Sequence, residues 1–566
     1  GLLGRVRTAL DGRSAAATVL AHLRQGGPCP ECGGCRLRLA ARQVHFADRS
    51  VPEILRMTFR ELGLWLRGAG NALKGQRIAR SLSSMARLAE AADSLGLGHL
   101  SLHRDVATLS GGEGQRLRLV EALEAPLHGA CYVFDEPTRG LHAADAGQLG
   151  ARLRELVGAE TTVLLAEHNP TLVASSDEVV EMGPAGGAAG GNIVYQGPPA
   201  GSPLLRAAGV TGSAAGWSLP HRMTLKGVTL RTLREQDASF ALGGMTCVSG
   251  VSGSGKTTLV RDVLVPAVRG YLETGEDHGP CYRSLRFMGP PPSAIPFVNQ
   301  QAITNNPRSL VLTALGLGEA FRDAFHAGSD AESLGLTPAH FSTNTAAGQC
   351  LTCQGLGVLK PRGVDEAVPC PACGGSRFNP RVLWAKLEGR TVGDWLQVSL
   401  EELAGNESLP QPVRRAAGLS AELGLGHLTL GRSLPTLSGG EAQRLRVATS
   451  LLESGQGRGG PGNILFIMDE PAAGLHPADV QRLITAFRRI VEEGHSLLLI
   501  EHNLAVLRES DWVVDLGPGC GSEGGRVLFS GPVADFLKAS VPDSRTLAAL
   551  LGRAESESDR PQTGNP

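Results

Sequence analysis

The chain has 566 residues and a formal net charge of −1, and its length alone predicts three or four domains of about 150 residues each. This balance excludes a general electrostatic attraction to nucleic acid or membrane, so any basic surface must be local. No apolar run approaches the ~18 residues of a membrane helix, and the opening GLLGRVRTALDGRS lacks a secretory signal, so we expect a cytoplasmic protein outside the membrane. Because residue 1 is Gly rather than Met, we expect the natural start to lie upstream.

The first group of reactive side chains is a set of three cysteines near the amino terminus. Cys29, Cys32 and Cys35 include a C-x-x-C pair, and such pairs in a chain without a secretory signal are typical of metal ligands in a reducing compartment. The pair corresponds to the later pair Cys370 and Cys373, but no second pair accompanies it. Zinc binding by these three thiols is therefore left open.

Residues 63–89 carry basic side chains and not one acid. The basic residues are Arg67, Lys74, Arg77, Arg80 and Arg87. Such a run can contact nucleic-acid phosphates, but it more often forms the solvated face of a helix, which is the interpretation we favour. An aromatic content of only 4% argues against base stacking as a main contact, so recognition of duplex shape would fit better.

Four segments recur in the same order at a nearly constant spacing. Residues 95–119 match 423–447 at an offset of 328, and three further pairs share an offset of 334: 132–145 with 466–479, 164–169 with 498–503, and 190–198 with 524–532. This constancy predicts a duplicated domain. Short apolar runs alternate with helical stretches in each copy, which predicts an α/β fold around a buried parallel sheet.

Only the second copy is preceded by a phosphate-loop pattern. Residues 245–260 read MTCVSGVSGSGKTTLV, whereas no G-x-x-x-x-G-K-[ST] pattern precedes residue 109. We therefore predict a partial first half at 1–218 and a complete second half at 219–540. Residues 541–566 are predicted to be a disordered polar tail.

The phosphate-loop pattern follows an apolar strand and precedes a helix, which is the context that this motif needs. Lys256 is a candidate catalytic residue expected to reach the β- and γ-phosphates of ATP, and Thr257 is expected to ligate Mg²⁺. The alternative is a glycine-rich strand-to-helix turn without a ligand. The other residues expected around the phosphates are Gly250, Gly253, Gly255 and Thr258.

Carboxylates and a histidine follow two later strands. Asp469 and Glu470 end the apolar run NILFIM, and His502 follows LLLIE. Because the carboxyl ends of parallel strands adjoin the phosphate loop, we expect Asp469 to hold Mg²⁺, Glu470 to activate water and His502 to donate to the γ-phosphate. Alternatively, the two acids only cap a helix. Gln300 is a weaker candidate for sensing Mg²⁺ and water, and Gln301 is equally available.

The phrase LSGGEGQRL at 109–117 recurs as LSGGEAQRL at 437–445. Its S-x-x-E pattern predicts a capping box, and Gly-Gly in a first helical turn weakens the helix and so indicates a bound anion. The candidate anion-binding residues are Ser110, Gly111 and Gly112 in the first copy and Ser438, Gly439 and Gly440 in the second. An incomplete second site is outlined by the latter three together with Asp135, Glu136 and His168.

A four-cysteine module lies between the phosphate loop and the second signature phrase. Two C-x-x-C pairs, Cys350 with Cys353 and Cys370 with Cys373, supply four thiolates, which is the ligand set of a tetrahedral Zn²⁺ site. The alternative is two unrelated pairs of buried thiols. Glycines that follow each pair closely permit the tight turns of a zinc knuckle.

The phrase L-S-G-G-x-x-Q-R is similar to the signature of the ABC ATPase superfamily. With the inserted cysteine module, DEPAAGLHPAD and VVDLGPGCGSEGGRVLFSGP, residues 20–205 and 219–540 resemble the UvrA family, the ATPase component of the ABC excinuclease. The resemblance implies two ABC-type nucleotide-binding domains with inserted helical signature domains and a zinc module, the first domain being incomplete. It also implies a homodimeric ATPase that recognises damaged double-stranded DNA in nucleotide excision repair, uses ATP, Mg²⁺ and Zn²⁺, and does not cut DNA itself.

In the superfamily, the signature of one domain contacts the γ-phosphate held by the other. The resemblance therefore implies one composite site, in which the signature at 109–115 closes over a nucleotide held at 250–257. The family's first phosphate loop and its domain for binding the helicase-like component of the excinuclease are absent from the 566 residues, so recruitment of that component is open. Two alternatives are a drug-resistance ATPase that protects DNA from intercalating compounds and, more remotely, the energy-coupling ATPase of a transporter.

Overall fold

The computed structural model divides into two compact units, Gly1–Ala125 and Pro126–Pro566, which are taken separately below. This division by packing does not test the repeat-based halves 1–218 and 219–540, which stay a prediction. The residues that the structure describes are 29, 31–73, 78–106, 109, 111–124, 129–138, 141, 143–157, 161–183, 191–208, 219–298, 304, 306–328, 330–360, 367–407, 409–454, 463–473, 475–519 and 524–551.

The first unit is mostly helical. Its elements are α1 (Leu39–Arg42), β1 (His45–Phe46), β2 (Arg49–Ser50), α2 (Val51–Arg56), α3 (Phe59–Ala72), α4 (Ile78–Ala92), a π-helical segment (Asp93–Leu97) and α5 (Gly111–Glu124). A capping box between Thr58 and Glu61 starts α3. Helices α3 and α4 pack through apolar side chains that include Leu62, Leu66 and Leu82.

The basic run lies on these two helices. Arg67, Arg80 and Arg87 are exposed, and Arg67 forms an ion pair with Glu90 of α4. Arg87 donates to the hydroxyl groups of two nearby serines on its own helix. These placements fit a solvated helix face. Lys74 and Arg77 lie outside the described residues.

The part of the first repeat that belongs to the second unit forms two strand pairs. Its elements are β3 (Cys131–Asp135), α6 (Ala143–Leu156), β4 (Thr162–Ala166), α7 (Pro170–Ala174), β5 (Val179–Gly183), β6 (Asn192–Gly197), a 3₁₀ turn (Pro199–Gly201) and α8 (Pro203–Ala208). Strands β3 and β4 are parallel, and β5 and β6 are antiparallel.

The second repeat builds a complete α/β domain. Its strands are β7 (His221–Leu230), β8 (Leu233–Leu242), β9 (Met245–Gly250), β10 (Ser284–Met288), β11 (Phe297–Val298), β12 (Val358–Leu359), β13 (Val368–Pro369), β14 (Lys386–Leu387), β15 (Arg390–Thr391), β16 (Leu465–Asp469), β17 (Ser496–Ile500), β18 (Trp512–Gly517) and β19 (Arg526–Pro532). Six of them form one sheet in the order β11-β16-β17-β9-β18-β19, parallel except for β19, and β10-β7-β8 form a second, antiparallel sheet. The predicted α/β fold with a mixed, mainly parallel sheet is confirmed.

Along the chain, the helices of this domain lie between its strands or after the last strand. They are a π-helical segment (Thr258–Leu264), α9 (Val265–Thr274), α10 (Val311–Ala314), α11 (Gly318–Gly328), 3₁₀ turns (Pro338–Phe341, Pro380–Trp384, Leu434–Thr436), α12 (Val392–Trp395), α13 (Leu400–Ala404), α14 (Gln411–Ser420), a π-helical segment (Ala421–Leu425), α15 (Gly439–Ser454), α16 (Pro477–Glu492), α17 (Leu504–Arg508), α18 (Val533–Phe536) and α19 (Arg545–Leu550). The largest apolar core joins the inserted helical region to one face of the sheet and includes Trp395, Phe466 and Phe487.

Helix α19 corrects the prediction that residues 541–566 form a disordered tail throughout. Leu547 and Leu550 are buried against Cys247 of β9 and Val513 of β18, and this burial orders the segment. The remainder of the predicted tail, 552–566, lies outside the described residues.

The two repeats differ in how one face of the sheet is covered. Ile467 and Leu498 of the second repeat have no exposed surface, because the face that carries them packs against β7, β8 and the helix that follows the phosphate loop. Their counterparts at the offset of 334 are Val133, which is 66% exposed, and Leu164, which is 58% exposed. Among the described residues, these two apolar side chains of the first repeat are therefore mainly exposed.

Candidate nucleotide and metal sites

The phosphate loop begins where the buried central strand β9 ends. Gly250 has φ of 131°, and a Cβ atom built there would lie 2.1 Å from the carbonyl oxygen of Leu516, so only glycine fits. Gly255 has φ of 101° at the start of the following helix. The loop 250–257 thus has the strand-turn-helix context that its pattern predicts, with Gly253 at its exposed turn and Thr258 buried behind it.

Lys256 folds back into the loop. Its Nζ atom donates to the carbonyl oxygens of Gly250 and Val251, each at 2.8 Å. Burial lowers the pKa of this ammonium group to about 8, and the nearby carboxylates oppose the shift. These are Glu470, Asp469, Asp515 and Asp145. The ammonium is therefore held by weak carbonyl acceptors among acids, which is a position from which it can move to a phosphate.

Asp469 and Glu470 stand at the carboxyl end of β16. Burial, followed by the charge of Glu470, raises the pKa of Asp469 to about 6. Glu470 itself has φ of 49°, which is a strained backbone for a residue with a Cβ atom. Two adjacent, partly buried carboxylates suit a hard divalent cation, so Asp469 together with Thr257 could hold Mg²⁺.

His502 follows the neighbouring strand β17, and its Nε2 atom lies 3.6 Å from Oε1 of Glu470. The first repeat reproduces the strain at the same place, since Glu136 has φ of 44°. There, however, the histidine contact differs: Nδ1 of His168 lies 3.6 Å from Glu167, its own neighbour in the chain. Asp135, unlike Asp469, ends an exposed strand.

A buried glutamate that was not predicted from the sequence, Glu501, lies beside His502. Glu501 accepts hydrogen bonds from the backbone N–H groups of Ala472, His502 and Asn503, and so ties the loop after β16 to the loop after β17. Burial raises its pKa to about 7. Glu167 accepts equivalent backbone bonds in the first repeat. The repeated phrase E-H-N was the signal available in the sequence.

The predicted capping box at the second signature is confirmed. The N–H group of Ser438 donates to Glu441 at 2.8 Å, and the N–H group of Glu441 donates to the Ser438 hydroxyl at 3.2 Å. Glu441 also lies 2.8 Å from Nε2 of His427, and this bond is the main cause that lowers its pKa to about 2. Helix α15 begins at Gly439, directly followed by Gly440.

In the first unit, helix α5 likewise begins at the first of two glycines, Gly111, which Gly112 follows. His99 lies 3.3 Å from Glu113, which repeats the histidine–glutamate contact of the second signature. Ser110 lies outside the described residues, as do Gln300 and Gln301. The contribution of these three residues to a nucleotide site stays a prediction.

The four cysteines of the inserted module converge, as predicted. The Sγ atoms of Cys350 and Cys370 are 4.0 Å apart, those of Cys353 and Cys373 are 3.8 Å apart, and all four lie within 4.8 Å of one another. Four thiolates bound tetrahedrally at a Zn–S length of about 2.3 Å would be separated by roughly 3.8 Å. The cluster therefore has the dimensions of a zinc site.

The surroundings of the four thiols also suit a metal. All four side chains are buried, and the N–H group of Gly357 donates to Sγ of Cys353 at 3.2 Å, a bond that would stabilise a thiolate. Among the described residues this is the one group of three or more candidate metal ligands that converges, so Cys29, Cys32 and Cys35 do not form a second one.

None of the helices described by the structure combines the length and apolar character required to cross a bilayer.

No family model matches the chain. It is 36% identical over 545 residues to UvrABC system protein A of Haemophilus influenzae, an alignment that covers 93% of this chain and 57% of that protein. It is 35% identical over 561 residues to UvrABC system protein A of Pseudomonas aeruginosa, covering 94% of this chain and 58% of that protein. The chain thus spans little more than half the length of the curated relatives that it matches.

The crystal structure of UvrA2 from Deinococcus radiodurans has the same fold, with a TM-score of 0.82 and 36% sequence identity over 93% of this chain and 66% of that chain. The similarity extends over both repeats and the cysteine module, so the predicted family is confirmed. The chain therefore belongs to the UvrA family of the ABC ATPase superfamily.

Proposed function

We propose that the chain binds and hydrolyses ATP at residues 250–257 and couples this reaction to recognition of damaged double-stranded DNA in nucleotide excision repair. The observation that carries the proposal is the grouping of Lys256, Asp469, Glu470 and His502 at the carboxyl ends of adjacent strands. The relatives named UvrABC system protein A support the biological setting.

Each residue would act from its observed position. Lys256 would exchange its carbonyl acceptors for the β- and γ-phosphate oxygens, and Thr257 and Asp469 would hold Mg²⁺. When bound, Mg²⁺ would neutralise charge on the phosphate oxygens. Glu470 would orient and deprotonate the attacking water, while His502 would donate to the γ-phosphate.

The second part of the proposal is that the site is composite. Ser110, Gly111 and Gly112 would supply N–H groups to the γ-phosphate from the first signature. The second signature, with Ser438, Gly439 and Gly440, would belong to the incomplete reciprocal site. Partners proposed for the chain are a second copy of itself and damaged duplex DNA, with incision left to other proteins. Recruitment of the helicase-like component stays open, because the domain that binds it is absent from the 566 residues.

The decisive test measures ATP hydrolysis by the full chain with and without duplex DNA that carries a bulky lesion. We expect Mg²⁺-dependent turnover that lesion-containing DNA changes and that Lys256→Ala abolishes, since only one phosphate loop is present among the 566 residues. Lys538→Ala, at an exposed site, is the matched control and should leave turnover unchanged. Turnover in Lys256→Ala at the wild-type level would contradict the proposal.

A further inference from the structure

Helix α19, near the carboxyl terminus, is joined to the strand that leads into the phosphate loop. Asp515, a buried residue of β18, accepts one hydrogen bond from the hydroxyl of Ser249 at 2.7 Å and another from the hydroxyl of Ser544 at 2.6 Å. Ser249 directly precedes Gly250, and Ser544 caps α19 by accepting from the N–H group of Leu547. The start of α19 is thus tied to the last residues of β9.

The same end of α19 also contacts the first repeat. Arg545, next to Ser544, has its Nη1 atom 3.6 Å from Oδ1 of Asp145, which lies in the first turn of α6. Asp145 is 15% exposed. Its negative charge favours the protonated form of Lys256 and so opposes the lowering of the Lys256 pKa by burial. Ser544, which caps α19, and Arg545, its first residue, therefore join an element of the first repeat to the phosphate-loop strand of the second.

A related arrangement occurs with the roles of the two repeats exchanged. Glu181 of β5, which corresponds to Asp515 at the offset of 334, accepts hydrogen bonds from the Ser202 hydroxyl and the Leu204 N–H group at the start of α8. His476 of the second repeat lies 3.6 Å from the same carboxylate. In both repeats an acid at the equivalent strand position holds the start of a short helix, and the other repeat makes an ionic contact close by.

We propose that Arg545 is a positioning residue of the ATP site, which holds Asp145 and the start of α6 beside the phosphate loop. The inference rests on the proposed ATP hydrolysis at residues 250–257. It deepens that proposal, because it names Arg545 as the side chain that links the first repeat to the rate of ATP hydrolysis. The phosphate loop that binds the ATP belongs to the second repeat. Arg545 does not touch the loop itself and acts through Asp145.

The geometry indicates which kinetic parameter should change. Lys256 and the loop glycines belong to the second repeat, so initial capture of ATP does not need Arg545. The ion pair between Arg545 and Asp145 fixes the position of α6 relative to the phosphate loop. Positioning of this kind affects kcat more than KM. Arg545 is 42% exposed, so its charge can be reversed without burying an unpaired group in the core.

The test is a charge swap in the full chain. Arg545→Glu and Asp145→Arg are each expected to lower kcat for ATP about tenfold with KM changed by less than about threefold, and the double variant should recover most of the loss. Arg545→Lys should retain at least about half of kcat, because the cation is kept. Arg152→Glu is the control, since Arg152 pairs with Glu155 on the same helix α6 away from α19.

Melting curves recorded for every variant separate positioning from folding. If Arg545→Glu unfolds, Arg545→Gln removes the charge alone and is scored by kcat per folded molecule. The inference is overturned if the wild type hydrolyses ATP but Arg545→Glu stays within about twofold of it, or if the swap recovers nothing. A wild-type chain without turnover would overturn the proposed function and this inference together.

Discussion

The Nε2 atom of His502 lies 3.6 Å from Oε1 of Glu470, across the ends of the neighbouring parallel strands β17 and β16. Glu470 reaches this position with a left-handed backbone, and Glu136 of the first repeat keeps the same strained conformation. Strain of this kind is retained where a side chain must point in one particular direction. The strained backbone of Glu470 thus accompanies the contact that brings its carboxylate beside the imidazole of His502.

Replacing Glu470, the proposed general base, should separate nucleotide binding from hydrolysis. We expect Glu470→Gln to lower the hydrolysis rate by about 10²-fold or more while ATP still binds, because the amide keeps the shape but cannot accept a proton. The measurements are steady-state phosphate release and equilibrium binding of a fluorescent ATP analogue.

The repeat supplies a matched control for this substitution. Glu136→Gln alters the equivalent strained position in the first repeat and should leave the hydrolysis rate within about twofold of the wild type. Equal losses in the two variants would show that the first repeat contributes its own acid to the reaction. Loss of ATP binding in Glu470→Gln would instead indicate a structural role.

The parts of the site that could be predicted from the sequence are those governed by local patterns. The phosphate loop at 250–257, the capping box at Ser438 and the four-cysteine cluster each depend on spacing within a short segment, and spacing is visible in a sequence. The sheet followed from apolar runs whose residues are buried on both faces, as in β16 and β17.

The parts that could not be predicted depend on packing between distant segments. Asp515 and Ser544 meet only because β18 and α19 fold against β9, and no local sequence pattern indicates that these two residues are partners. The six residues of helix α19 are too few to show a clear helical period in the sequence, and Leu547 is ordered by burial rather than by helix propensity. The role of Glu501 could not be predicted for a similar reason, because its hydrogen-bond donors come from two separate loops.

Removing one cysteine should release the proposed zinc ion. The wild-type chain is expected to contain about one zinc per molecule, and Cys353→Ser should contain almost none, because three thiolates do not complete the tetrahedral set. Metal content is measured by atomic absorption after dialysis against a mild chelator. Cys131→Ser removes an exposed free thiol and should leave the zinc content unchanged. Zinc retained in full by Cys353→Ser would rule out the cluster as the ligand set.

The exposed sheet face of the first repeat should behave differently from its buried counterpart. Ile467→Thr is expected to lower the free energy of unfolding by roughly 2–3 kcal/mol, because it removes apolar contact and buries a hydroxyl. Val133→Thr, at the matched position, should change the free energy by less than about 0.5 kcal/mol. Denaturant unfolding measures both values.

The same face should bind an apolar dye. Fluorescence of anilinonaphthalene sulfonate is expected to fall when Val133 and Leu164 are both replaced by threonine, and aggregation at high concentration should fall with it. If Val133→Thr destabilises the chain as strongly as Ile467→Thr, this face is covered in solution.

Buried Glu501 should make stability depend on pH in a specific direction. Burial raises its pKa from its ordinary 4.5 to about 7, so between these values the folded chain binds more protons than the unfolded chain. The free energy of unfolding then decreases as pH rises through this interval, by at most about 3 kcal/mol from this one group.

The variant Glu501→Gln isolates this contribution because it removes the titration. Its single amide oxygen cannot satisfy all three N–H donors, so the variant is less stable throughout, and the informative quantity is the difference in unfolding free energy from the wild type. Measured with urea from pH 5 to pH 8, the wild-type advantage should shrink steadily as pH rises and level off above about pH 7, once the folded carboxyl has ionised. An advantage that grows with pH would mean that the carboxylate is stabilised by its three backbone donors more than it is penalised by burial.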